Sequence, residues 1–94
     1  MLYLVTYDIP QEYNPLRTRI VGVLKNYGLE RLQYSVFIGH LTPNQAEMVG
    51  MHLTEIVRSI EADVRIFPLC ERCYEKLITV KSRKSLEEEE VVIF

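Results

Sequence analysis

The chain has 94 residues, of which 48% are hydrophobic and 26% charged, and it carries a formal net charge of -2. A chain of this length predicts one domain with a small core, which dimerisation would stabilise further. The acidic balance argues against nucleic-acid binding by overall charge alone. Because Thr6 and Asp8 interrupt the apolar N-terminal run and no basic leader precedes it, we predict neither a signal peptide nor a membrane span, and hence a cytoplasmic protein.

The charges are unevenly distributed along the chain. Four of the thirteen acidic residues form the run Glu87 to Glu90, and without them eleven basic residues face nine acidic ones. Basic residues concentrate between positions 72 and 84, where they are Arg72, Lys76, Lys81, Arg83 and Lys84. This segment is a candidate phosphate-binding region, although a solvated loop with scattered charges is equally compatible with the pattern. The acidic run suits a protein partner better than a phosphate backbone.

Two elements are predicted in the first third of the chain. Apolar residues on both faces of segment 2–9 indicate a central strand. Asn14 and Pro15 are typical of a helix start, so we predict a helix over about 15–27 that Gly28 ends.

The next segment, 31–38, alternates with a period of two, which predicts one strand. Its apolar face would carry Leu32, Tyr34, Val36 and Ile38. Its mixed face would carry Arg31, Gln33, Ser35 and Phe37. Because only about eleven residues separate the two predicted helices, we expect no complete hairpin here.

The second half of the chain begins with a helix. Thr42 and Gln45 match a capping box, and an apolar stripe follows as far as Ile60. Three further strands are predicted, over residues 64–68, 77–80 and 91–94. Together these elements predict an α+β fold, a ferredoxin-like sandwich whose antiparallel sheet carries two helices on one face. The predicted division is a domain over 1–80 and a basic-then-acidic C-terminal segment over 81–94.

Asp8 is the residue that draws attention to chemistry, because it ends the first predicted strand after an uncharged run. An aspartate at a strand end is most often a turn former or a cap for neighbouring amides. Its carboxylate also suits a hard cation such as Mg2+. Nearby elements carry further residues that suit a phosphodiesterase: arginines for phosphate oxygens, a hydroxyl and a ring to stack on a base, namely Arg17, Arg19, Arg31, Ser35 and Phe37.

Two other features carry weaker signals. Cys70 and Cys73 form a C-x-x-C, which suggests a redox pair or half of a zinc site, against the simpler interpretation of two half-buried thiols. A thioredoxin-like pair would lie at a helix start, whereas this one follows a predicted strand. His40 and His52 lie in unrelated settings, and the sequence contains neither a catalytic serine motif nor a glycine-rich phosphate loop.

Three pieces of the sequence together resemble a known family. They are Tyr3-Leu-Val-Thr-Tyr-Asp-Ile9, the arginine-bearing helix that ends Lys25-Asn-Tyr-Gly28, and Arg31-Leu-Gln-Tyr-Ser-Val-Phe37. Over residues 1–80 their order and spacing resemble the small adaptation protein of CRISPR systems, CRISPR-associated protein two, of the endoribonuclease type.

The resemblance implies a ferredoxin-like domain in a symmetric homodimer, with strand 91–94 adding to the partner subunit's sheet. It implies that Asp8 is the catalytic residue and a Mg2+ ligand, completed across the dimer by the second copy of Asp8. It also implies nucleic-acid contacts, which map by motif onto Arg17, Arg19, Arg31, Ser35 and Phe37.

Two functions remain open for such a dimer. As an enzyme it would be a metal-dependent endonuclease that cuts single-stranded RNA or duplex DNA. As a scaffold it would bridge two dimers of the CRISPR adaptation integrase and hold DNA by its backbone during spacer acquisition. A third possibility, a small ligand-binding regulatory domain, is less attractive because the chain lacks a glycine-rich ligand loop.

Overall fold

A computed structural model of the protein describes residues 1–83. Its elements are β1 (Leu2–Asp8), α1 (Asn14–Asn26), β2 (Glu30–Gln33), β3 (Val36–His40), α2 (Pro43–Val57), β4 (Asp63–Leu69) and α3 (Glu71–Glu75). A short 3-10 turn, Gln11–Tyr13, leads into α1. Lys84, the acidic run and the predicted strand 91–94 lie outside the described residues. Among residues 1–83, the longest apolar helix is too short to cross a membrane.

The four strands form one antiparallel sheet in the order β2-β3-β1-β4. Both long helices contribute to the same core cluster as the odd-numbered residues of β1, so α1 and α2 cover one face of the sheet. This arrangement is the split βαβ pattern, in which each helix joins two strands that have a third between them: α1 joins β1 to β2 across β3, and α2 joins β3 to β4 across β1. The predicted α+β ferredoxin-like fold is therefore confirmed.

The core lies between the sheet and the two helices. Side chains alternate along β1, so that Tyr3, Val5 and Tyr7 are buried against α1 and α2, whose own buried residues include Leu24 and Leu53. We call this side the helix-covered face. The opposite side, called the open face, is formed by Leu4, Thr6, Val36, Ile38, Arg65 and Phe67. Within residues 1–83 neither α1 nor α2 covers it.

The segment between the helices is a complete hairpin, so the single predicted strand was wrong. Tyr34 and Ser35 form a two-residue turn between Gln33 and Val36, which are cross-strand partners. The turn lacks the glycine or asparagine that usually marks such a connection, and the alternating pattern runs through it without a break. The register also shifts between residues 31 and 33. Pairing with β1 places Phe37 opposite the buried Val5, in the core, whereas the predicted apolar residues Leu32 and Tyr34 are exposed.

The helix starts differ in how well the sequence identified them. The capping box of α2 is present: the Thr42 hydroxyl accepts a hydrogen bond from the Gln45 N–H at 3.0 Å, and the Gln45 side-chain oxygen accepts one from the Thr42 N–H at 2.9 Å. Asn14, expected as the cap of α1, is instead its first helical residue. Its side-chain oxygen accepts a hydrogen bond from Arg17.

The chain after α2 differs from expectation in two respects. Strand β4 extends to Leu69 and includes Pro68, which fits its place at the edge of the sheet formed by residues 1–83, because proline cannot donate a backbone hydrogen bond. The strand predicted over 77–80 was wrong, because this stretch is irregular and Ile78 and Val80 are strongly exposed. High β-propensity forms a strand only where a neighbouring strand and a packing surface are available.

Candidate functional site

Asp8 is the last residue of β1, and its side chain is exposed. Because side chains alternate along a strand, Asp8 points toward the open face while the preceding Tyr7 is buried against the helices. Within residues 1–83 the Asp8 carboxylate accepts no hydrogen bond and forms no ion pair. It is therefore neither a cap nor a turn-stabilising group in this part of the chain.

A second carboxylate lies directly across from Asp8. Asp63 at the start of β4 is its cross-strand partner, and like charges in such a position repel each other. Arg65 partly balances this charge through an ion pair to Asp63 at 3.4 Å. Among residues 1–83 no group of three or more potential metal ligands comes together. One chain therefore supplies at most part of a cation site at this edge.

Arg17 holds the loop that follows Asp8. Its guanidinium donates hydrogen bonds to the Ile9 carbonyl oxygen and to the Asn14 side chain. Arg19, two residues further along α1, is exposed. Residues two apart lie on different sides of a helix, so the two arginines cannot both face the same group. Arg17 is thus a positioning residue for the end of β1, whereas Arg19 projects elsewhere.

Tyr7 is a site residue that the sequence interpretation missed, because it was assigned only to an apolar strand face. Its ring is buried and stacks against Phe37 with the ring centroids 6.4 Å apart. Burial raises the pKa of the Tyr7 hydroxyl, and the charges of Arg31 and Arg17 oppose that rise. Both arginines therefore act on this phenol. The sequence does contain a signal for Tyr7, because a tyrosine lies immediately before Asp8 and the hydroxyl of a buried tyrosine usually finds a hydrogen-bond partner.

The hairpin brings Arg31, Ser35 and Phe37 close to β1, but not in the expected roles. Phe37 is 0% exposed, so its ring is part of the core and the predicted stacking on a base does not fit this position. Arg31 lies over that ring, with its guanidinium carbon 5.1 Å from the centroid. The Ser35 carbonyl accepts a hydrogen bond from the Tyr7 N–H at 3.1 Å, which ties the turn to β1.

The basic segment is separated from Asp8 by the length of the sheet. Strand β4 runs from Asp63, beside Asp8, to Leu69, beside Leu2, so α3 begins at the opposite end. The six steps along β4 from Asp63 to Leu69 span roughly 20 Å. The exposed basic residues Arg72, Lys76, Lys81 and Arg83 follow from that end, and Lys84 lies outside the described residues. Asp8 and the basic segment are two distinct regions.

Cys70 and Cys73 are both exposed thiols, not half-buried ones as predicted. Cys70 is the N-cap of α3, so the pair does lie at a helix start, contrary to the expectation from the preceding strand. Hydrogen bonds from the N–H groups of Cys73 and Arg72 lower the pKa of Cys70, and the neighbouring Cys70 thiol raises the pKa of Cys73.

The two histidines have separate surroundings. His40 is the last residue of β3, and its Nε2 lies 2.8 Å from Glu71 Oε2, so this exposed pair links the sheet to α3. The His52 ring lies 6.0 Å from the Tyr27 ring, which connects α2 to the end of α1. Both histidines therefore make structural contacts between elements.

Comparisons with known proteins identify relatives of this chain. The chain is 38% identical to CRISPR-associated endoribonuclease Cas2 1 of Archaeoglobus fulgidus, over 87% of this chain and 85% of that protein. It is 31% identical to a CRISPR-associated endonuclease Cas1/endonuclease Cas2 fusion of Thermoproteus tenax, over 88% of this chain and 31% of the fusion.

The fold and a sequence profile agree with these relatives. The crystal structure of Streptococcus pyogenes Cas2 is similar with a TM-score of 0.69 and 31% identity, covering 86% of this chain and all of that chain. The sequence profile described as "CRISPR associated protein Cas2" matches residues 1–77. The match spans every strand of the sheet and includes Asp8, so the chain belongs to the CRISPR-associated Cas2 family.

Proposed function

We propose that the protein is a homodimeric, Mg2+-dependent endonuclease that cuts nucleic acid and takes part in CRISPR adaptation with the integrase. The observation that carries this proposal is the environment of Asp8, an exposed carboxylate at a strand end without a partner among residues 1–83. The endoribonuclease named in Archaeoglobus fulgidus supports phosphodiester hydrolysis, with RNA as the first substrate to test.

The open face supports the homodimer. Leu4 pairs with Ile38 on one side and with Phe67 on the other, which makes an apolar row across three strands. Phe67 is 42% exposed, a large apolar ring that a second copy of the same surface would cover. A two-fold axis through this face would bring two copies of Asp8 to one interface.

The residues near Asp8 fit a Mg2+ ion shared by two subunits. Mg2+ prefers oxygen ligands and keeps several waters when one or two carboxylates hold it, so Asp8 from each subunit is a sufficient protein contribution. When bound, the ion would supply Lewis-acid polarisation of a phosphate and activation of water. Arg17 would keep the Asp8 carboxylate oriented through its hydrogen bond to the Ile9 carbonyl.

Positive charge for the phosphate would come from Arg31. Arg31 is half-buried on β2, opposite Phe37 of β3. Guanidinium groups bind phosphate oxygens through charge-assisted hydrogen bonds. Ser35, in the turn tied to β1, would add a hydroxyl at the same edge.

A non-catalytic scaffold is the second candidate, because the exposed basic residues Arg72 and Lys76 follow β4 at the end of the sheet opposite Asp8. Such a region would bind a DNA backbone without reading its sequence. The Thermoproteus tenax fusion joins Cas1 and Cas2 endonucleases in one chain, which supports the Cas1 integrase as a partner of this protein.

Asp8→Asn separates the two functions. The wild-type protein should cut a single-stranded RNA or a DNA duplex with Mg2+ and should stop cutting when the ion is chelated. Asp8→Asn should reduce cleavage to the chelated background, because the amide oxygen carries no charge for the cation. Glu61→Gln, which removes an exposed carboxylate before β4, is the matched control and should cut normally.

Cleavage that survives in Asp8→Asn would contradict the assignment of this residue. Spacer acquisition should be measured for the same variants in cells that contain the integrase. If Asp8→Asn loses cleavage but keeps acquisition, the scaffold function accounts for adaptation by itself. A wild-type protein that cuts neither substrate in Mg2+ would refute the nuclease.

A further inference from the structure

The tip of the β2–β3 hairpin carries an aromatic ring in an unusual position. Tyr34 is the first residue of the two-residue turn, and it is 61% exposed. Large rings at such positions gain little from folding, because most of their surface stays in water. The nearby ring of Phe37, which the sequence suggested for base stacking, is by contrast 0% exposed. Tyr34 is therefore the accessible ring of this hairpin.

Arg31 holds this accessible ring in a defined place. Its Nη1 donates a hydrogen bond to the Tyr34 carbonyl oxygen at 3.1 Å. Its guanidinium carbon lies 5.8 Å from the Tyr34 ring centroid and 5.1 Å from the Phe37 ring centroid, both within cation–π range. One arginine thus bridges the buried ring and the exposed ring, and it presents a positive charge beside the accessible aromatic face.

An exposed ring with an adjacent cation matches the chemistry of an unpaired nucleotide. Aromatic side chains stack on the flat face of any base, and a neighbouring guanidinium binds the phosphate that follows it. Bases inside a duplex already stack on each other and offer no free face. We propose that Tyr34, held by Arg31, stacks on an unpaired base of a single-stranded RNA or DNA.

This inference rests on the proposed function, because it assumes that the protein binds nucleic acid, and it specifies the substrate class at the same site. The position of Arg31 supports it over a purely apolar protein contact. Arg31 lies over the Phe37 ring, and that ring stacks on Tyr7, the residue before Asp8, so packed rings connect the hairpin tip to the end of β1. The turn itself lies at the Asp8 end of β1, because the Ser35 carbonyl accepts a hydrogen bond from the Tyr7 N–H.

The test uses the full chain and three fluorescent probes of equal length: a single-stranded RNA, the same strand with abasic positions, and an RNA duplex. Fluorescence anisotropy gives the dissociation constant of each. Tyr34→Ala should weaken binding of the intact single strand by about 5- to 100-fold, the range expected when one stacked base is lost. Tyr34→Phe keeps the ring and should stay within about 2-fold of wild type.

Two controls distinguish the ring from its surroundings. Leu32→Ala removes another exposed apolar side chain of the same hairpin and should leave single-strand binding unchanged. The abasic strand and the duplex should bind wild type and Tyr34→Ala equally, because neither offers a free base to the ring. A 2-aminopurine in the intact strand should be quenched by wild type and less by Tyr34→Ala.

Three results would overturn the inference. Unchanged single-strand binding by Tyr34→Ala would remove the ring from the site. Equal losses on the intact and abasic strands would show that the ring does not contact a base. Loss of self-association by sedimentation velocity in Tyr34→Ala, with no loss of binding per dimer, would assign the ring to a protein interface. If the wild type binds no strand at all, the proposed function itself fails, which is distinguishable from each of these.

Discussion

The helix-covered face and the open face of the sheet are built from the same strands, yet they bury their side chains to different degrees. Val5 and Phe37 are completely buried under the helices, whereas Leu4 and Ile38 on the other side are only half-buried. The helix-covered face therefore supplies most of the folding free energy of one chain. The open face carries Asp8 and an apolar row, so it is the surface on which the proposed cleavage and the proposed dimer depend.

The largest expected effect is on the free energy of unfolding, which should fall more for a substitution on the helix-covered face than for one on the open face. Phe37→Ala should lower the free energy of unfolding by about 3–5 kcal/mol, because it empties a fully buried site. The neighbouring Ile38→Ala, on the open face, should cost about 1 kcal/mol. Urea denaturation measures the free energy of unfolding of both variants, and a low protein concentration keeps the contribution of dimer formation small. If the two variants lost the same free energy of unfolding, the open face would contribute as much to the stability of one chain as the helix-covered face.

The second effect concerns association. Phe67→Asp should weaken the proposed dimer by about 2–4 kcal/mol, because it places an unpaired charge in an apolar contact. Sedimentation velocity over a range of concentrations gives the dissociation constant. Met51→Asp is the control: this exposed methionine lies on α2, away from the open face, and its change should leave association intact. A dimer that tolerates Phe67→Asp would have to use another surface.

Replacing either of two glycines by alanine should change the free energy of unfolding by a smaller amount, with opposite signs at the two positions. A methyl group on Gly39 would lie 2.6 Å from Leu29 Cδ2 and 3.1 Å from Leu29 Cα, so Gly39→Ala should cost about 1–3 kcal/mol. Gly22 in α1 has nothing within 4 Å of that position, and Gly22→Ala should stabilise by about 0.5–1 kcal/mol. Thermal or urea unfolding measures both. Destabilisation by Gly22→Ala would contradict the open surroundings of α1 at this point.

The smallest effect is a pH dependence from Tyr7. Burial raises its pKa above the ordinary value of 10.0, so the folded protein keeps this proton at a pH where the unfolded chain loses it. The resulting stability is complete below about pH 10 and is lost as pH rises through the folded pKa. Tyr7→Phe should flatten the decline of unfolding free energy above pH 10.

The helices and the central strand were predictable because their signals are local. The capping box of Thr42 and Gln45 satisfies two backbone amides within four residues, and it formed as expected. The apolar residues on both sides of β1 likewise indicated its central place in the sheet. Such features depend on neighbours in the chain, which the sequence contains directly.

The hairpin and the site depended on register, which the sequence does not contain. The pairing of β3 with β1 buries Phe37 opposite Val5, and Tyr34 lies exposed in the turn, the reverse of the predicted roles. Asp63 as the cross-strand partner of Asp8 could not be inferred either, because fifty-five positions separate the two in the numbering and only strand pairing joins them. The selection of Asp8 as a candidate did not depend on register, because its place at the end of the first predicted strand was enough to single it out.

Strand β4 fixes a spacing that bears on substrate length. Its first residue lies beside Asp8 and its last leads to α3, where the exposed basic residues begin. Nucleotides in a B-form strand advance about 3.4 Å each, so the roughly 20 Å between these ends corresponds to about six of them. A nucleic acid shorter than that can reach the acidic end or the basic end, but not both. The sheet would then act as a ruler, favouring substrates long enough to span it.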